Sequence, residues 1–262
     1  MKLAILVKYL GTPFEGFQAQ PSGNTVQQHL TNAVSALFGF PCNVTGCSRT
    51  DSGVHANGFV ATVEPSESNL KNTEWCTIPP SKFHRAIAQY LPGGIAVVGA
   101  AVTDDSFHPR YSASGKEYIY YLKDSPAGDP FLSGRVWQLR QRISDDGLIL
   151  MKEACKGYIG KHDFKAFMSK GSSVIDTVRE VYDADVSREG ELIKFSVSAD
   201  GFLYNMVRIM TGTLVGIACG EKYDVEKALE TGRRDMLGIT APPDGLYLNR
   251  VFYDDNIRFE CL

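Results

Sequence analysis

Asn43-Val44-Thr45-Gly46-Cys47-Ser48-Arg49-Thr50-Asp51-Ser52-Gly53-Val54-His55-Ala56-Asn57-Gly58-Phe59-Val60-Ala61-Thr62-Val63 is the stretch whose reading decides the fold. Its two ends, Asn43 to Cys47 and Gly58 to Val63, are short and rich in apolar and β-branched residues, which predicts two strands. The octapeptide Arg49 to Ala56 between them is polar and small, and Gly53 permits a positive φ or a close backbone approach, so it reads as the connecting loop.

Working outward, the strand Leu3 to Tyr9 and a helix Thr25 to Phe38 precede this pair. That helix carries Val26, Leu30, Ala33, Val34, Leu37 and Phe38 on one stripe. A helix Lys82 to Leu91, stopped by Pro92-Gly93-Gly94, and a strand Ile95 to Val102 follow. The order is β-α-β-β-α-β, and from residue 116 it recurs. The second round has strand Lys116 to Leu122, helix Asp146 to Ile159, strands Arg179 to Val186 and Leu192 to Ala199, a helix from Phe202, and a strand Leu246 to Tyr253. An additional helix Asp224 to Thr231, with Gly232 as its stop, precedes that last strand.

The expected fold is therefore α+β: two ferredoxin-like (βαββαβ) halves, residues 1–106 and 107–262, forming a mixed, mainly antiparallel sheet with helices on one face and a central cleft. Phe107 to Ser114 is read as the join. Sheets of this order bind RNA bases by stacking, which makes RNA a partner by analogy of fold.

Composition narrows the function. With 262 residues and 44% hydrophobic side chains the chain has enough apolar surface for a full core. The 27 Lys and Arg against 30 Asp and Glu give a formal charge of −3, so polyanion binding would rest on a local basic cleft rather than on net charge. The six cysteines include no C-x-x-C pair and the five histidines no metal-binding spacing, so neither a metal nor a disulfide framework is expected. Phe202 to Cys219 is the longest apolar run. Asn205 and Arg208 interrupt it, which favours a buried helix over a membrane span. Lys8 breaks the apolar N-terminus, which reads as a strand and not as an export signal, so a cytoplasmic protein is expected.

Three places carry chemistry. Asp51 is a carboxylate among small turn-forming residues, with Arg49 two positions away. A guanidinium beside a carboxylate favours its ionised, nucleophilic form, although a surface turn tied by a local ion pair has the same residue types. Phe107-His108-Pro109-Arg110-Tyr111-Ser112-Ala113 leads through Lys116 into a strand where Tyr118 and Tyr120 share one face, as core aromatics or as a platform for a ligand. Arg208 sits in Phe202 to Met210, read as a helix with apolar residues all round. A buried guanidinium there needs an anion or several acceptors, unless it caps a carbonyl or snorkels out. From Arg208, the glycines 212, 216 and 220 at a spacing of four leave a bare stripe on which another backbone can lie.

The octapeptide resembles the signature of the TruA family of tRNA pseudouridine synthases, usually G-R-T-D-A-G-V-H-A, with Ser48 and Ser52 in place of the small Gly and Ala. Gly11-Thr12-Pro13-Phe14-Glu15-Gly16-Phe17-Gln18-Ala19-Gln20 resembles the family's Y-D-G-T-x-F-x-G-W/F-Q-x-Q, with Leu10 where the pattern has Asp. Phe107 to Tyr120 is similar to F-H-A-R-x-S-A-x-x-K/R-x-Y-x-Y, with Pro109 in place of Ala. Phe202 to Arg208 is similar to F-x-x-x-M-V-R, and Ala241 to Leu248 to A-P-P-x-G-L-Y-L. Gly160 to Phe167 matches G-x-H-D-F-x-x-F, followed by Met168 where many members have Arg.

The resemblance implies an isomerase that turns uridine into pseudouridine in the anticodon stem-loop of tRNA, at positions 38 to 40. No cofactor is implied, and a homodimer is. It implies Asp51 as the catalytic residue, Tyr118 as the residue contacting the target base, Arg208 as the salt-bridge partner of Asp51, Leu246 as a lining of the base pocket, and Arg49 as the residue linked to base flipping. Phosphate contacts are expected from Lys82, Arg85, Arg110 and Lys116, with Arg233 and Arg234 as further candidates. The chemistry breaks the bond from ribose C1′ to uracil N1, turns the base and rejoins it through C5. Whether Asp51 attacks sugar or base, or takes a sugar proton, stays open; Tyr118 is the candidate base for the C5 proton. The competing readings are a non-catalytic RNA-binding module on the same fold and an enzyme transferring a nucleoside or glycoside. The second of these lacks a spaced partner carboxylate near Asp51.

Overall fold

Lys2–Tyr9 forms β1, the central strand of the first unit, because Leu3, Ala4, Ile5, Val7 and Tyr9 are all buried along it. The computed structural model describes residues 1–67, 74–171, 174–254 and 257–261. Residues 1–114 and 248–262 form one compact unit and residues 115–247 the other.

In the first unit, α1 (Val26–Phe38) starts at Thr25, whose hydroxyl accepts from the Gln28 amide. It stops at Gly39 in the left-handed conformation and buries Val26, Leu30, Ala33 and Val34. β2 (Cys42–Gly46) and β3 (His55–Pro65) pair antiparallel, so the stretch read as strand, loop, strand is that, with His55 and Ala56 already in the second strand. α2 spans Pro80–Ala88, starting two residues before the sequence suggested and ending three earlier. Proline is tolerated in a first helical turn, where its missing N–H has no partner to lose. β4 (Ile95–Thr103) pairs with β1 and carries a two-residue strand, β11 (Glu260–Cys261), on its outer edge. The order β4-β1-β3-β2, all antiparallel, is that of a ferredoxin-like sheet, and β10 (Leu246–Tyr253) lies on β3. Gly58 permits that approach: a Cβ there would stand 2.5 Å from the Asn249 carbonyl oxygen.

The second unit repeats the plan. β5 (Ala113–Lys123) pairs with β9 (Leu192–Ala199), which pairs with β8 (Val178–Glu189), all antiparallel. As in the first unit, the first strand lies on the third and the third on the second. Two short strands, β6 (Trp137–Gln138), parallel to β5, and β7 (Gly160–Asp163), on β8, extend it. α3 (Asp145–Lys156) and α5 (Val225–Thr231) are capped by Ser144 and Asp224. A buried fork fixes one end of the sheet: Arg188 donates to both oxygens of Asp124, at 3.0 and 2.9 Å, and to the Ile143 carbonyl at 2.7 Å.

α4 differs from expectation. It spans Met206–Ala218, not the turn from Phe202, because Asn205 adopts a left-handed φ of 63° and Phe202 to Tyr204 run outside the helix. It is 13 residues long, and no helix of the described residues is long and apolar enough to cross a membrane. The glycine stripe does receive neighbours: a Cβ at Gly212 would stand 1.9 Å from the Ile239 carbonyl oxygen and one at Gly216 2.3 Å from the Tyr223 ring, whereas Gly220 lies past the helix end in open space.

Candidate active site

In the first unit the loop after β2 turns tightly at Asp51. The Val54 amide donates to the Asp51 carbonyl at 3.1 Å, and Gly53, at φ 82°, takes the third position that a type II turn requires of glycine. Both neighbours of Asp51 are tied to the loop between β1 and α1. The Thr50 hydroxyl, on a residue 7% exposed, bonds the Tyr9 hydroxyl at 2.8 Å. The Thr50 carbonyl accepts from the Phe17 amide at 3.1 Å, and the Ser52 hydroxyl donates to the Phe14 carbonyl at 3.2 Å. Gly16 allows this approach, since at φ 86° an added Cβ would stand 2.7 Å from the Thr50 oxygen.

His55, fully buried, accepts the Gly11 amide proton on Nδ1 at 2.9 Å, and a Cβ on Gly11 would stand 2.1 Å from the Val54 oxygen. Phe17 stacks on Phe59 of β3 with ring centroids 4.3 Å apart, which seats the supporting loop on the sheet. The glycine, aromatic and amide loop of residues 11–21 is thus the scaffold of the Asp51 turn. Sequence reasoning missed the Tyr9 to Thr50 and Gly11 to His55 bonds. Their only sequence signal is a tyrosine, a threonine and a histidine at positions whose neighbours are apolar core.

Asp51 is half-buried and Arg49 exposed. Arg49 forms no ion pair with Asp51 among the described residues.

In the second unit, Tyr118 and Tyr120 lie on β5 opposite Val197 and Phe195. Tyr120 is the core residue of the two: it has no exposed surface, and its hydroxyl donates to the Pro242 carbonyl at 2.6 Å. Burial pushes its ionisation far above the ordinary tyrosine range, against the pull of Arg208. Tyr118 is 8% exposed and stands edge-on to Phe202 with centroids 5.0 Å apart.

Arg208 occupies the first turn of α4 and is half-buried, not enclosed on all sides. Its Nε donates to the Ala241 carbonyl at 2.7 Å and its Nη1 to Asn205 Oδ1 at 2.7 Å, while the Ala241 amide returns a bond to the Arg208 carbonyl. Successive carbonyls of the segment at 241–242 therefore receive Arg208 and Tyr120. Next along that segment, Gly245 lies against the Tyr120 ring, and Leu246, 6% exposed, opens β10. Arg208 and Tyr120 are thus both tied to the segment that leads into Leu246, and Tyr118 lies two residues from Tyr120 on β5.

The candidate phosphate contacts differ in availability. Lys82, Arg85 and Arg110 are exposed and Lys116 is half-buried, with Arg110 lying over the Tyr111 ring. Arg233 is ion-paired to Asp235 at 2.5 Å and Arg234 donates to the Leu237 carbonyl, so that pair is already engaged within the protein. Gly160 to Asp163 is strand β7, and Asp163 accepts from Lys165 and Thr177, as a scaffold element does. Among the described residues no group of three or more His, Cys, Asp or Glu could hold a metal ion, and Cys42, Cys47, Cys76, Cys155 and Cys219 form no disulfide.

A family described as tRNA pseudouridine synthase matches residues 5–112 and 154–254. The chain is 37% identical over 253 residues to tRNA pseudouridine synthase A 2 of Clostridium perfringens strain 13, covering 96% of this chain and 99% of the relative. It is 40% identical to tRNA pseudouridine synthase A of Clostridium botulinum strain Eklund 17B, with the same coverage. It is also 40% identical, over 255 residues, to that of Thermoanaerobacter sp. strain X514, covering 95% of this chain and 98% of the relative.

Proposed function

The chain belongs to the TruA family of tRNA pseudouridine synthases, isomerases acting on uridine in tRNA, and from that premise we propose that Asp51 is its catalytic carboxylate. The observation that carries this is the turn at Asp51: a half-buried carboxylate whose two neighbours are both hydrogen-bonded to a separate supporting loop. Such a carboxylate is held at fixed position before substrate arrives, as nucleophilic or electrostatic catalysis requires.

Arg208 pairs with Asp51 and keeps it ionised. Its own orientation is set by the Ala241 carbonyl and the Asn205 amide. Tyr118 stacks on the uracil while the glycosidic bond is open, and Leu246 closes the apolar side of the pocket. Arg49, exposed and beside the turn, enters the helix stack in place of the target nucleotide. The reaction is balanced without redox: the N1–C1′ bond breaks, the C5–C1′ bond forms, the C5 proton leaves to a base, for which Tyr118 is the nearest candidate by type, and N1 takes up a proton in its place. The detached uracil must be shielded from water, which an aromatic floor and an apolar wall supply.

The substrate uridines are those at positions 38 to 40 of the anticodon stem-loop, and the working form is a cytoplasmic homodimer without metal or cofactor. Mapping pseudouridine in tRNA from cells lacking this protein tests the substrate: loss confined to positions 38 to 40 is expected, and intact modification there refutes the assignment. Sedimentation of the purified protein, alone and with tRNA, tests the dimer.

A further inference from the structure

Asn205 is the one non-glycine residue with positive φ among the described residues, at φ 63° and ψ 9°. It occupies the position just before α4, where asparagine ordinarily takes an extended conformation and caps a backbone amide with its side chain. Here it does neither: no side-chain cap bond forms, and the amide turns to two other groups. Oδ1 accepts from Arg208 Nη1 at 2.7 Å, and Nδ2 donates to the Ser169 hydroxyl at 3.0 Å.

The chemistry fixes which end is which. A guanidinium only donates, so the amide oxygen must face Arg208 and the NH2 must face Ser169, whose oxygen accepts. Ser169 is itself held, its backbone amide donating to the Tyr204 carbonyl at 3.1 Å. Arg208 is the third residue of the helix. The oxygen that would cap the third amide is instead spent on the third residue's side chain.

With Nε on the Ala241 carbonyl and Nη1 on Asn205, the planar guanidinium has one orientation, and the direction of Nη2 follows from those two bonds. A left-handed backbone held against its cost at such a place is the kind of local strain that accompanies a functional constraint.

We propose that Asn205 is a positioning residue for the isomerisation: its left-handed backbone and its amide set the plane in which Arg208 meets the catalytic carboxylate. This rests on the reading of Arg208 as the partner of Asp51, and the test separates the two.

The variant Asn205→Gly keeps the backbone conformation, which glycine adopts freely, and removes only the amide. Asn205→Ala removes the amide and strains the backbone as well. Tritium release from C5-labelled uridine in tRNA, measured for the full-length protein alongside melting temperature, should show Asn205→Gly losing roughly tenfold in kcat. KM should stay near the parent's and the melting temperature should fall by only a few degrees, because the amide's two bonds, to Arg208 and to the Ser169 hydroxyl, are lost while the backbone is unstrained. Asn205→Ala should lose the same in kcat and melt earlier. Arg208→Ala should lose kcat more severely than either. If Arg208→Ala is crippled while Asn205→Gly turns over at the parental rate, the positioning role is refuted and the reading of Arg208 stands. If Arg208→Ala itself turns over at the parental rate, the Arg208 reading falls and takes this proposal with it.

Discussion

The Tyr9 hydroxyl and the Thr50 hydroxyl are 2.8 Å apart in a buried site, joining the end of the central strand of the first unit to the residue immediately before Asp51. The bond spans 41 positions of sequence and fixes one flank of the turn, while the Phe17 amide fixes the same residue from its carbonyl side.

Tyr9→Phe keeps the ring against Phe59, 5.6 Å away, and strands the buried Thr50 hydroxyl. The expected cost is about 1 to 2 kcal/mol of stability, with a fall in kcat larger than any change in KM, read by urea denaturation and single-turnover tritium release. An unchanged kcat would show that the turn holds its shape without this bond.

Gly16→Ala places a methyl 2.7 Å from the Thr50 carbonyl oxygen at a φ of 86°. Both effects push the supporting loop off the turn, so a loss on the order of 2 kcal/mol or more is expected. Gly23→Ala, also at positive φ but with open space around it, carries only the conformational share and serves as the comparison. Equal losses in the two would remove the argument from close approach.

The buried thiols of Cys42 and Cys155 are each pushed up from 9.0 to about 11, first by burial and then by neighbouring acids or thiols. A raised pKa on an acid means the folded state keeps its proton while the unfolded state loses it. Stability is therefore full below pH 9 and declines as pH rises from about 9 to about 11. Each thiol contributes up to about 2 to 3 kcal/mol across that window. Because buried tyrosines ionise late as well, the measurement is the difference in urea midpoint between parent and the Cys42→Ala, Cys155→Ala double variant from pH 8 to 11. The gap should narrow as pH rises. A gap that is constant would contradict it.

The basic residues divide by what they already bind. Arg85→Ala and Arg110→Ala should each lower the salt dependence of tRNA affinity by about one unit of slope. Arg233→Ala should lower it less, because that guanidinium is paired with Asp235. A larger effect at Arg233 would show that tRNA displaces Asp235.

The sequence made the sheet legible because its strands are long and alternate cleanly. The last strand, Leu246–Tyr253, has the bounds read from its residues, and Asp224 and Gly232 mark the ends of α5 as cap and stop. What escaped has physical reasons. The two-residue strands β6 and β11 have no room for a periodic signal, and α4 looked longer because Phe202 and Leu203 continue its apolar run while the left-handed Asn205 leaves no trace in hydropathy. The Asp51 loop was visible as a motif, but its supports were not. Tyr9 to Thr50 and Gly11 to His55 are contacts 41 and 44 residues apart, and no local pattern encodes them.

The most direct test of Asp51 as the catalytic carboxylate is tritium release from C5-labelled uridine in tRNA by Asp51→Ala, with tRNA affinity measured on the same preparation. The result expected is tRNA binding close to the parent's with no detectable release under single-turnover conditions. Release by Asp51→Ala at a rate near the parent's, with binding intact, would contradict the account.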